Sequence, residues 1–220
     1  SVVRIKICGI THPHDARKAC GLGAWALGFV FYKKSARFVS AAKAREMIRA
    51  LPPFVVPVGV FVNEEASRVK KIADFCGINT LQFQGEESPS YCGRFRGYKV
   101  IKAFRVAEGF DCSHLDSYEV VDAYLLDSYH PDQYGGTGRT FDWQIVQKKK
   151  INKPLILSGG LNPQNIAQAL REISPYAVDV SSGVERPPGR KDERLLEEFF
   201  RNAQGRTKFS HRMDMLRHDA

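Results

Sequence analysis

Short apolar, β-branched runs alternate with polar stretches of helical period along most of the chain. The runs are VVRIKIC (residues 2–8), WALGFVF (25–31), VVPVGVFV (55–62), TLQF (80–83), YKVIKAF (98–104), AYLLD (123–127), PLILS (154–158) and YAVDVS (176–181). Helix-like segments cover residues 12–21, 41–51, 64–75, 141–149, 163–172 and 191–204, with weaker ones after Ser88 and at 112–118. Ser40, Asn63 and Asn162 stand where N-caps belong, each offering a side-chain oxygen to an otherwise orphaned backbone N–H. Pro163 follows Asn162 at the first helical position, where its missing N–H costs nothing.

Strands that read as nearly continuous apolar runs, alternating with helices, predict a parallel sheet covered on its outer face. Eight such units in a chain of 220 residues predict a single (β/α)8 TIM barrel of the α/β class, eight parallel strands with some short or weak helices. The alternative is a doubly wound open sheet, which more often shows five or six strands and a glycine fingerprint in its first turn. The first turn here, CGITHP, lacks it. The barrel is expected to span residues 1–204, with the polar, basic residues 205–220 as a C-terminal tail or an extra surface helix.

Composition narrows the function. The five cysteines, Cys8, Cys20, Cys76, Cys92 and Cys112, form no CxxC pair and have no histidines at zinc-ligand spacing beside them. Neither a disulfide framework nor a metal site is expected, and a reducing cytoplasm fits best. No stretch resembles a signal h-region or is long enough to span a bilayer, so a soluble chain without a membrane partner is expected. The formal net charge is +9, but the basic residues are scattered among acids with no aromatic-rich basic stripe. That pattern argues against nucleic acid and suits an anionic small substrate, whose encounter long-range attraction would accelerate.

In a barrel the functional residues belong at strand C-termini and in the loops that follow. After the seventh run comes LSGGLNPQNI with Gly159 and Gly160, and after the eighth VSSGVERPPG with Ser181, Ser182 and Gly183. Glycine turns and helix N-termini accept an anion on backbone N–H groups, and these are the two loops where barrels commonly bind phosphate. YGGTG (134–138), with Gly136 and Gly138, is a third backbone donor or a flexible lid. Strand alternation sets Arg4, Lys6 and Cys8 on the inner face, with Val3, Ile5 and Ile7 toward the helices. The same alternation brings Leu125 and Asp127 inward, so a thiol and a carboxyl project from opposite sides of one pocket. Each also has a bland reading, as a small buried hydrophobe or a turn cap. An inward Lys6 is costly unless paired, and Asp179 on the neighbouring strand eight is its expected partner.

KICGIT, GFVFYKKSAR, VGVFVN, LLDSYHPDQYGGTGRTFDW, LSGGLNPQNI and VDVSSGVERPPGRKD, in this order, closely resemble the phosphoribosylanthranilate isomerase family of tryptophan biosynthesis. The resemblance runs from about residue 4 to about residue 199. It implies a cofactor-independent barrel, monomeric or homodimeric, that acts on a small phosphosugar. The reaction implied is the Amadori rearrangement of N-(5-phosphoribosyl)anthranilate to 1-(2-carboxyphenylamino)-1-deoxyribulose 5-phosphate. It also implies that Asp127 is the general acid that opens the ribose ring, that Cys8 is the general base at sugar C2, and that Arg37 pairs with the anthranilate carboxylate. The phosphate would lie against Gly159, Gly160, Ser182 and Gly183, with Ser181 as a hydroxyl donor.

These roles place demands on both proton-transfer groups. Cys8 needs a lowered pKa, for which the helix start near Thr11 and His12 is the candidate source, and Asp127 needs a raised one. One departure from the family stands out: its usual LQLHG reads LQFQG here, with Gln84 in the histidine's place. Glutamine still hydrogen-bonds but carries no proton charge. Other readings are a ribulose-phosphate epimerase, an indole-glycerol-phosphate synthase and a non-catalytic phosphate-binding barrel. The metal-binding residues of the first and the catalytic lysines and glutamate of the second are not in place. The third would be expected to lack Cys8 or Asp127.

Overall fold

The apolar runs become eight parallel strands: β1 (Arg4–Ile7), β2 (Ala26–Val30), β3 (Val56–Phe61), β4 (Thr80–Phe83), β5 (Lys99–Arg105), β6 (Ala123–Asp127), β7 (Leu155–Ser158) and β8 (Ala177–Val180). The structure is a computed structural model and describes residues 2–107, 109–128 and 151–205. Each strand pairs with the next, and β8 returns to β1 with Ile5 opposite Val178 and Lys6 opposite Asp179, which closes the barrel. Closure excludes the open doubly wound sheet and, among the described residues, leaves no strand edge unpaired.

The connecting helices are α1 (Pro13–Gly21), α2 (Ala41–Arg49), α3 (Ala66–Cys76), α4 (Pro89–Cys92), α5 (Ile166–Glu172) and α6 (Glu193–Ala203). The weak segment at Cys112–Tyr118 is a 3-10 helix. The helix expected over 141–149, the YGGTG stretch with Gly136 and Gly138, and the tail from residue 206 lie outside the described residues. Among the described residues no helix is long and apolar enough to cross a membrane.

Ser40 caps α2 as expected, its hydroxyl accepting from Lys43 N. Asn63 does not cap α3, which starts after Glu65 without a side-chain cap bond. Instead Asn63 adopts a positive φ of 49°, and its Oδ1 accepts from Glu86 N at 2.7 Å while its own N–H donates to Glu87 at 2.8 Å. It ties the end of β3 to the loop after β4. Asn162 accepts from Gln164 N and Asn165 N at 2.9 and 3.0 Å, closing a turn ahead of α5 rather than starting the helix at Pro163.

The period-two alternation is realised as two concentric cores. Ile5, Ile7, Leu27, Phe29, Phe61, Leu81 and Phe83 pack outward against the helices. Val58, Ile101, Ala103, Ala123, Leu125, Ile156 and Ala177 fill the barrel interior. Alanines in that inner layer leave volume above it for larger polar side chains, and Lys6, Gln82, Ser158 and Asp179 occupy it, all buried. Above these sit Cys8, Val30 and Val60.

The loops after β7 and β8 are pressed together. A Cβ on Gly183 would lie 1.8 Å from the carbonyl oxygen of Leu161 and 3.1 Å from Asn162 Cα, so only glycine allows this backbone approach. Gly183→Ala is expected to separate the two loops and lower stability by about 1–3 kcal/mol, the usual range for overpacking. The urea midpoint of the variant measures this, and a midpoint equal to that of the native chain would contradict it.

Candidate active site

Closure brings the ends of β1, β6, β7 and β8 around one mouth, and the polar layer beneath it is continuous with that mouth. Lys6 Nζ donates to Asp179 Oδ1 at 2.7 Å, the pairing expected from strand register, and Ser158 Oγ donates to Asp179 Oδ2 at 2.9 Å. Burial works against the Lys6 ammonium, yet the Asp179 carboxylate and the Cys8 sulfur beside it hold its pKa above the ordinary lysine value.

Cys8 follows β1 and is 8% exposed. Its backbone is fixed on both sides, N–H to Val180 O at 2.9 Å and carbonyl oxygen to Lys191 Nζ at 2.6 Å. The lowered pKa expected from a nearby helix start does not materialise. α1 begins only at Pro13, and its cap is the side chain of His12. Burial pushes the Cys8 thiol up, the Lys6 ammonium pulls it back, Asp179 adds to the rise and Lys191 opposes it, for a net upward shift. A thiol tuned this way ionises less readily, but its thiolate is a stronger base once formed.

Asp127 ends β6, half-buried, with Ser158 opposite it on β7 and Arg105 opposite it on β5. Gln84 Nε2 donates to Asp127 Oδ2 at 3.3 Å, and Gln82 Nε2 donates to Gln84 Oε1 at 2.7 Å. The residue that departs from the family pattern therefore touches the carboxyl at the end of β6. Because Gln82 engages its carbonyl side, the Gln84 amide is oriented with its N–H toward that carboxyl.

Arg37, in the loop after β2, presents Nε and Nη2 to the two oxygens of Glu185, both at 2.8 Å. Glu185 also accepts from Lys191 Nζ at 2.6 Å and from Gly189 N at 3.1 Å. Burial raises the Glu185 carboxyl, but Arg37, Lys191 and the Gly189 N–H outweigh it and hold its pKa below the usual range. For Lys191, buried deepest, desolvation wins over Glu185 and lowers its pKa. Two cations and one anion leave this cluster one positive charge.

Gly159 and Gly160 turn the chain out of β7 with φ of 88° and 64°. Ser182 and Gly183 open a short 3-10 turn beyond β8. The Ser181 hydroxyl donates to Cys8 O at 3.1 Å and approaches Glu185 at 3.3 Å, which directs its proton at the β1 end rather than into the loops. Among the described residues no group of three or more His, Cys, Asp or Glu could hold a metal ion.

Sequence reasoning missed Glu185 and Lys191 as site residues. Their signal was present in VERPPGRKD: the Pro-Pro-Gly turn folds the segment back so that Glu185 and Lys191 form an antiparallel bridge. What could not be read was that both charges are buried.

Residues 5–202 match the family model for N-(5'-phosphoribosyl)anthranilate (PRA) isomerase. The enzyme of that name from Geobacter sp. (strain M21) is 49% identical over 203 residues, covering 92% of this chain and 98% of the relative. That from Nitrosococcus oceani is 51% identical over 199 residues, covering 90% and 96%. The crystal structure of phosphoribosyl anthranilate isomerase from Thermotoga maritima superposes with a TM-score of 0.86 at 44% identity, covering 92% of this chain and 99% of that one. A second crystal structure, of an isomerase in complex with reduced 1-(o-carboxyphenylamino)-1-deoxyribulose 5-phosphate, gives 0.83 at 42% identity with the same coverage. With the barrel closed, a thiol and a carboxyl at its mouth and relatives matched over nearly their whole length, this chain belongs to the N-(5'-phosphoribosyl)anthranilate isomerase family.

Proposed function

We infer that the chain rearranges N-(5-phosphoribosyl)anthranilate to 1-(2-carboxyphenylamino)-1-deoxyribulose 5-phosphate in tryptophan biosynthesis, with Asp127 as general acid and Cys8 as general base. The observation that carries the assignment of roles is that these two side chains stand at the C-terminal ends of β6 and β1, on separate walls of one barrel mouth. Asp127 gives its proton to the ribose ring oxygen, the C1–O bond breaks and the anilino nitrogen forms a Schiff base to C1. The Cys8 thiolate takes the proton from C2, leaving an enolamine that tautomerises to the 2-ketone. Sulfur gains only a proton, and no covalent intermediate is required. Gln84 orients the Asp127 carboxyl toward the sugar.

The substrate's two anionic ends fit two parts of the site. The phosphate rests on the backbone of Gly159, Gly160, Ser182 and Gly183, in the two loops that press together after β7 and β8. The anthranilate carboxylate meets Arg37, whose fork is steadied by Glu185 along one edge, and the cluster's surplus positive charge matches its single negative one. The relative crystallised with the reduced ribulose phosphate supports a ligand of this class. The enzyme acts in the cytoplasm, as a monomer or homodimer and without a cofactor.

The loss of substrate fluorescence on turnover tests the roles. Cys8→Ser and Asp127→Asn are each expected to cut kcat by about 10²–10⁴-fold, the range for a lost general acid or base, with KM little changed. Near-native rates in both would remove the assignment. Gln84→Leu leaves both groups in place and is expected to lower kcat by about tenfold, since a misaligned proton donor is still a donor; an unchanged kcat would deny Gln84 its orienting role.

Glu185 carries a prediction with a sign. Its folded pKa is depressed, so its contribution to stability is present above the unfolded value of about 4.3 and is lost as pH falls through the folded value. Glu185→Gln should therefore lower Tm at pH 7, and the gap between native and variant should narrow as pH falls below the unfolded value and close once it passes the depressed folded value. A gap independent of pH would show that the carboxylate charge is not what holds Arg37 and Lys191.

A further inference from the structure

Beneath Cys8 the barrel holds a chain of polar groups that proton abstraction by a thiol does not in itself require. Ser158 holds one oxygen of Asp179, Asp179 holds Lys6, and the Lys6 ammonium, only 3% exposed, lies beside Cys8 Sγ. Gly28 on β2 faces both atoms: a Cβ there would stand 2.7 Å from Sγ and 3.1 Å from Nζ. Sulfur and ammonium thus meet in a slot that any side chain on Gly28 would fill.

We propose that Lys6 is the positioning residue and counter-ion of the Cys8 thiolate, aimed at the sulfur by Asp179 and Ser158 and admitted to it by Gly28. The proposal rests on the reading of Cys8 as the base. A thiolate enclosed by a barrel has lost most of its stabilisation by water, so the charges facing it decide whether it forms. From β1 itself comes Lys6, which favours it. From β8 comes Asp179, which opposes it. Lys191, beyond β8, favours it from a distance, its ammonium bound to Cys8 O and Glu185. Arg37 and Glu185 neutralise one another at the rim, and Asp127 faces the same pocket from β6. Among these cations the one beside the sulfur is Lys6. With the thiol protonated, Lys6 and Asp179 form a neutral pair. When the thiol proton leaves to solvent, the ammonium is shared between carboxylate and thiolate, and the charge created is met without moving an atom.

The test titrates Cys8 directly. Alkylation by iodoacetamide is followed against pH and quantified by mass spectrometry on the peptide that contains Cys8, so that the other cysteines do not contribute. Lys6→Met should move the midpoint up and Asp179→Asn should move it down, each by about 1–3 pH units, the span expected for a charge within contact range. A general loosening of the barrel would move both variants the same way. The double variant Lys6→Met/Asp179→Asn leaves no uncompensated charge to unfold the barrel, and its midpoint should stay above the native one. Gly28→Ala, which changes no charge, should raise the midpoint by separating sulfur from ammonium. In Lys6→Met, each rise of one pH in the midpoint should lower kcat at neutral pH by about three- to tenfold, the loss of thiolate being partly offset by its greater basicity, while KM stays within about twofold. Unchanged midpoints, or movements of one sign in Lys6→Met and Asp179→Asn, would overturn the proposal. Turnover retained by Cys8→Ser would instead overturn the role of Cys8 as base, and the titration would still decide whether Lys6 governs its ionisation.

Discussion

Closure of the barrel between its first and last strands is the constraint on which the rest of this structure depends. β1 and β8 pair in register along their length. Around that seam the chain adds the Lys6–Asp179 ion pair, the Lys191 bond to Cys8 O, the Thr11 hydroxyl bond to Gly189 O at 2.5 Å and the contact of Asp15 with Lys191 N at 2.9 Å. Nearly every group that fixes Cys8 comes from the far end of the sequence. On its other side β8 pairs with β7, which sets the loop after β8 against the loop after β7, so the thiol pocket and the cradle proposed for the phosphate share one strand.

The interior of this barrel is not tuned for stability alone. Burying Lys6, Asp179, Gln82 and Ser158 where branched apolar side chains would fit incurs a desolvation cost that a close ion pair offsets only in part. The apolar layer between strands and helices supplies the compensation, with Phe29, Phe61, Phe83 and Phe199 among the largest fully buried side chains. Stability is thus concentrated outside the barrel wall and chemistry inside it. The wall itself, with its alternating side chains, keeps the two apart.

The fold was legible because it rests on periodicities that a linear string preserves. Alternation in RIKIC put Lys6 and Cys8 inward, and closure of an eight-stranded sheet made β8 a neighbour of β1, so Asp179 could be named as the partner of Lys6 from sequence. What depended on depth was not legible. The pKa of Cys8 was misjudged because a helix start can be read from a string, whereas desolvation, the larger effect, cannot. Lys102 belongs with these cases: it lies among the helix-facing residues of β5, where its ammonium meets Gly85 O at 2.7 Å and Glu87 at 3.4 Å. Asn63 and Asn162 look like caps in sequence, but Asn63 ties the end of β3 to the loop after β4 and Asn162 closes a turn ahead of α5, because the same short amide serves any of these purposes. Glu185 and Lys191 were recognised as part of a motif and not as a buried pair, since only the turn between them shows that they meet.

The seam also bears on how the protein is made. The ion pair beneath Cys8 joins residues 173 positions apart in a chain of 220. Contacts of such long range form late, because the entropy of the intervening loop is lost before they contribute. On a ribosome, β1 leaves the exit tunnel with its lysine and thiol bare and must wait for nearly the whole chain before it gains a carboxylate, a second lysine and a lid of neighbouring strands. The pocket around the thiol is therefore completed only when the last strand has arrived.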